Sequence, residues 1–119
     1  MLFRSYGNEV HVFYPISKDI EISQDTDPLW LPHGDKTLKG LLMLALKRQF
    51  TGKGPTFLLS HLKGLKVGAV RGAPLANEFS TKKLVPIFFS HGLTATAMLY
   101  SQVMRDLARH GFIVFGICH

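Results

Sequence analysis

The chain has 119 residues, 46% of them apolar and 18% charged, which excludes a disordered polymer and allows one core-forming domain. Fourteen Lys and Arg against eight Asp and Glu give a formal charge of +6, a balance that favours anionic surfaces without specifying one. The single cysteine excludes an internal disulfide, and no apolar stretch approaches the roughly 20 residues a membrane-spanning helix needs.

In chain order, Met1-Leu2-Phe3-Arg4 lacks the charged-then-apolar pattern of a signal peptide, so a cytoplasmic setting is expected. Glu9 to Pro15 alternates Val10, Val12 and Tyr14 with His11 and Phe13 and predicts a strand stopped by Pro15. Ile16 to Pro32 reads as a solvated loop. Its acidic residues Asp19, Glu21, Asp25 and Asp27 lack the regular spacing of metal ligands, so no metal is expected.

Leu38 to Phe50 predicts a helix with Asp35 capping its start and Lys36, Lys39, Lys47 and Arg48 flanking its leucines. It is too short to cross a bilayer, but it suits peripheral contact with a lipid surface, apolar side down, or packing against further protein. Ten of the fourteen basic residues fall between Lys36 and Lys83, against only Asp35 and Glu78. No nucleic-acid-binding module accompanies that charge, so nucleic acid is not expected as a partner. The glycines at 52, 54, 64, 68 and 72 read as loop punctuation, lacking the order of a phosphate-binding or dinucleotide-binding turn, and no cofactor is implied.

Leu84 to His119 carries the most information. Val85 to Phe89 is a short, continuous apolar run that predicts a strand buried on both faces, with Pro86 at its first paired residue. From Leu99, the apolar positions Leu99, Val103, Leu107 and Ala108 recur at helical spacing among polar residues. Gly111 closes that helix, and Phe112 to Cys118 predicts a second buried strand. A right-handed crossover makes the unit a βαβ with parallel strands.

The loop Ser90-His91-Gly92-Leu93 leaves the carboxyl end of the first strand, where open α/β sheets place their ligands. Gly92 allows a sharp turn that exposes successive backbone amides. Such an amide can bind the oxyanion formed in ester cleavage, as the loop after the third strand does in α/β-hydrolases. On that logic the backbone N–H of Leu93 is the candidate donor, with His91 and Gly92 supporting the loop. A bland turn is the competing reading.

Pro86 to Leu93, Leu99-Tyr100-Ser101 and Leu107 to Val114 resemble the platelet-activating factor acetylhydrolase family of lipoprotein-associated and intracellular type II phospholipases. Val12-Phe13-Tyr14-Pro15 and Pro28-Leu29-Trp30-Leu31-Pro32 look like its early Tyr-Pro strand end and Leu-Trp-Ile-Pro segment. The resemblance implies a calcium-independent serine esterase that removes short or oxidised acyl chains from the second position of glycerophospholipids at a lipid surface. It also implies that Leu93 supplies half of the oxyanion hole.

The family's nucleophile lies in a Gly-x-Ser-x-Gly elbow, and none of the chain's serines has glycine both two before and two after it. Ser90 precedes the turn. Ser101, Asp106 and His110 suit a solvated helix face better than a triad, because positions 101 and 106 lie roughly 140° apart around a helix. No catalytic residue of the triad is therefore expected in this chain. The expectation is an α/β fold: residues 1–119 form a single partial domain, the N-terminal part of an α/β-hydrolase sheet, ending in the βαβ unit. Its function is the front of an esterase whose serine, aspartate and histidine lie downstream. The alternative is a catalytically silent lipid-binding or partner-binding remnant.

Overall fold

The computed structural model describes residues 2–5, 8–31, 33–45, 54–93 and 95–119. Its centre is the predicted βαβ unit. Strand β3 (Val85–Ser90) pairs in parallel with β4 (Phe112–Cys118), from Val85 opposite Phe112 to Ser90 opposite Ile117. A 3₁₀ turn, Ala97–Tyr100, and helix α3, Ser101–Arg109, connect them. The helix therefore starts tighter and earlier than its apolar spacing predicts. It ends as expected, with Gly111 at φ 90°.

Two further strands extend the sheet in the order β1-β2-β4-β3. Strand β2 (Asn8–Phe13) pairs antiparallel with β4, so the sheet is mixed. The expected strand over Glu9 to Pro15 thus begins one residue earlier and ends at Phe13. Beyond it, the Tyr14 hydroxyl donates to the Ala73 carbonyl at 2.5 Å, and the Ala76 amide donates to the Pro15 carbonyl at 3.1 Å. Strand β1 (Leu2–Ser5), which no sequence signal marked, forms an antiparallel hairpin with β2.

The core lies where α3 and the 3₁₀ turn meet one sheet face: Ala97, Met104 and Val114 are fully buried, with Phe13, Ile87, Phe89 and Leu107 packed around them. Gly116 makes that approach possible. A Cβ there would lie 2.6 Å from the Met104 sulfur and 3.2 Å from the Ala97 Cβ, well inside contact distance.

The opposite face corrects the expectation for β3, which is not buried on both sides. Among the described residues it is an edge strand, Phe88 is 71% exposed, and the Phe88 ring stacks on Phe115 at 5.2 Å. An unbroken apolar run signals two coverable faces, and the described residues cover only one. Pro86 is the second paired residue and not the first, a position where an edge strand tolerates a missing donor.

Helix α1 spans Gly34–Ala45, starting before the predicted Leu38, while Leu46 to Phe50 lie outside the described residues. Asp35 does not cap it. It sits within the first turn and pairs with Lys63 of the 3₁₀ segment Gly54–Gly64, on which α1 packs. Leu38 is buried, at 2% exposure. The four-residue helix α2 (Asn77–Ser80) completes the elements.

The acidic loop also needs correction. Asp19, Glu21 and Asp25 are exposed as expected, but Asp27 is buried and accepts hydrogen bonds from the amides of Gly68 (2.9 Å) and Ala69 (3.2 Å). Around it, Trp30 N–H donates to Leu65 O at 2.8 Å and Val67 N–H to Pro28 O at 3.0 Å. Arg105 of α3 donates to Val67 O at 2.7 Å, tying this stapled pair to the βαβ unit.

Two measurements follow. Gly116→Val should drive its side chain into Met104 and cost about 2 kcal/mol or more, read as a lower denaturant midpoint at unchanged slope. His11 lies opposite Gly116, and burial holds its pKa below the ordinary value against the attraction of Glu9. Below about pH 6.5 the unfolded chain therefore binds more protons than the folded one, and stability should fall on acidification through that value. His11→Gln should flatten this part of the profile.

Candidate functional site

The parallel register aligns the carboxyl ends of β3 and β4, so the residues just past each strand meet at one rim. Ser90 opposes Ile117, and the His91 and His119 rings stack at 4.2 Å, 3° from parallel. His119 N–H donates to His91 Nε2 at 3.3 Å, and His91 Nδ1 lies 3.0 Å from the Gly92 carbonyl oxygen. A carbonyl only accepts, so these partners assign the proton to Nδ1 and the lone pair to Nε2. His91 thereby ties the turn after β3 to the end of β4.

Leu93 stands three residues beyond the ladder, with its side chain 95% exposed. Among the described residues, no hydrogen bond engages its backbone N–H, whereas the neighbouring Ala95 N–H donates to Gly92 O at 3.3 Å. Gly92 does not adopt the left-handed conformation, and a Cβ there would meet nothing within 4 Å. The turn expected at Gly92 therefore does not draw on a conformation reserved for glycine.

The remaining candidates separate in space. Ser90 is exposed on β3. Ser101 is buried at 2% exposure, and His110 Nδ1 sits 2.7 Å from the backbone carbonyl of Asp106, leaving the Asp106 carboxylate to Gln102 and Arg109. These groups form no triad. Cys118 is half-buried, and burial pushes its thiol pKa up, so it stays protonated and unreactive at neutral pH. Among the described residues, no three His, Cys, Asp or Glu side chains gather as metal ligands, and no helix is long and apolar enough to cross a membrane.

Residues 4–119 match the family described as "Platelet-activating factor acetylhydrolase, isoform II". The chain belongs to that family. It is 35% identical over 125 residues to the platelet-activating factor acetylhydrolase of Cavia porcellus, covering 99% of this chain and 25% of that protein. Its likeness to the Bos taurus protein of the same name is 29% over 119 residues, 98% of this chain and 24% of the relative. A putative phospholipase A2 of Schizosaccharomyces pombe is 27% identical over 114 residues, 93% of this chain and 24% of the relative. The chain thus spans about a quarter of the length of the curated relatives it matches, and the family match includes the His91-Gly92-Leu93 rim.

Sequence inspection missed the pairing of His91 with His119, which are 28 positions apart. Ser90 opposes Ile117, so His91 falls one step short of His119 in the strand register and no local pattern signals the stacked pair.

His91→Ala removes both the stacked ring and the acceptor of the His119 amide. Loss of one such bond, worth about 1 kcal/mol, should speed hydrogen exchange at His119 N–H by about fivefold, while amides inside α3 stay unchanged.

Proposed function

We propose that this chain is the front part of a serine-dependent phospholipid esterase that hydrolyses short or oxidised acyl chains at the second position of glycerophospholipids. In this reading the backbone N–H of Leu93 is half of the oxyanion hole, and the nucleophile, its base and the orienting aspartate come from sequence downstream of residue 119.

The observation that carries the reading is the Leu93 amide: beyond the ladder, without a backbone partner among the described residues, at the carboxyl end of a parallel strand. A donor already committed to the sheet could not serve charge that builds on a carbonyl oxygen. The open space beside Gly92 supports close approach of a substrate to that backbone. His91 and Gly92 act as loop support, since the ring's two hydrogen bonds and its stack restrain the turn. The names of the relatives support an ester bond in a phospholipid as the substrate class.

A cytoplasmic setting, peripheral to membranes, belongs to the same reading. Half-buried Leu41, Leu42 and Met43 on α1, beside Lys36 and Lys39, suit contact with an anionic lipid surface.

The purified 119-residue chain should release no acetate from a short-chain ester above background, because a lone backbone donor replaces neither nucleophile nor base. Saturable turnover abolished by a serine-directed phosphonate would sink the assignment. In a longer protein that continues this chain through a Gly-x-Ser-x-Gly elbow, Leu93→Pro deletes the donor and should lower kcat ~10²-fold or more. Leu93→Ala keeps the N–H and should keep the rate; equal losses for both variants would assign the effect to the side chain.

A further inference from the structure

A cavity of about 550 Å³ lies away from the His91–Leu93 rim, within the size range of small-molecule sites. It is bounded by the segment that follows β2, the Gly68–Arg71 turn, α2 and one side of α3. Ile16, Ile20, Ile22, Phe79 and Met98 supply apolar wall. Charge in the lining is one-sided: Lys18, Arg71, Arg105 and Arg109 face a single carboxylate, Glu78.

These cations are unequally committed. Arg109 lies 3.7 Å from the Asp106 carboxylate, and Arg105 gives its terminal nitrogens to Val67 O and Gln102 Oε1. Lys18 and Arg71 are exposed and have no carboxylate partner within 4 Å among the described residues. Among the described residues, Arg105 Nε and His11 Nε2, both on lining residues, are buried without a hydrogen-bond partner. The nearest carboxylate oxygens, on Asp106 at 4.0 Å and Glu9 at 3.7 Å, stand beyond hydrogen-bond reach. The Arg105 Nε–H is thus a buried donor without an acceptor among the described residues.

We propose that this cavity binds a single-chain anionic amphiphile, with its hydrocarbon along the isoleucine and Phe79 wall and its acidic head group held by Lys18 and Arg71. The apolar wall removes the chain from water, and the two uncommitted cations select a carboxylate or phosphate over an uncharged head. A polar solute would leave the wall unused, and a neutral lipid would leave the cations unused. The site requires neither the Leu93 amide nor a nucleophile, so it stands apart from the esterase reading.

The test is calorimetric titration of the 119-residue chain, its folding checked by circular dichroism, with probes kept below their micellar concentrations. Dodecanoate and a lysophosphatidic acid stand for the carboxylate and phosphate sources, and dodecanol for the uncharged chain. Saturable one-to-one binding of either anion, at least tenfold tighter than dodecanol, is expected, and the stronger arm identifies the source. Lys18→Glu with Arg71→Glu should weaken the anions tenfold or more and leave dodecanol unchanged, while Arg71→Lys should retain binding. No saturable binding by the folded chain, equal binding of dodecanol, or indifference to the charge reversal would each overturn the proposal. Binding is read without turnover, so an inactive esterase and an unoccupied cavity are separate results.

Discussion

The close approach of α3 to β4 over Gly116 is the constraint on which the rest of the molecule depends. Met104 fills the space a side chain would need there, so its thioether packs directly on the strand backbone. Next to that contact β3 and β4 pair in parallel register. The register in turn brings the residues past both strands to a common rim, where His91 meets His119 and Leu93 leaves the ladder. Strand register thereby decides the position of the candidate chemistry.

A second set of contacts builds outward from the same helix. Arg105 reaches from α3 to Val67 O, next to the two amides that Asp27 holds. Gly68 serves this junction directly: at φ 75°, a Cβ would lie 2.3 Å from the Arg105 guanidinium. A carboxylate buried among loop amides and an arginine buried against a carbonyl replace the regular ladder that irregular backbone lacks. The cavity lies beside this junction, which contributes to its mixed character: Arg71 comes from the turn and Arg105 and Arg109 from the helix, while the segment after β2 brings isoleucines together with Lys18.

The βαβ unit was legible in the sequence because its signals are local. Val85 to Phe89, the 3.6-residue spacing after Leu99, Gly111 and Phe112 to Cys118 each announce an element, and the handedness rule joins them. What escaped was either too short to show a pattern or set by partners distant in the chain. Hairpin β1 carries too few residues to show a period, Asp27 looks like any loop carboxylate until Gly68 and Ala69 arrive, and β3 reads as central although it is the described edge. In the candidate site, Leu93 could be singled out as the proposed donor from its place after a strand, since an oxyanion donor is a backbone group. The imidazole pair beside it depends on register and was not.

The face-to-face imidazoles have a spectroscopic consequence. Each ring lies in the magnetic shadow of the other, so the carbon-bound protons of His91 and His119 resonate upfield of where the same rings would resonate unstacked. The rim thus carries an intrinsic nuclear magnetic resonance reporter, one that registers the arrangement of the turn without any label and vanishes as soon as the two strand ends part.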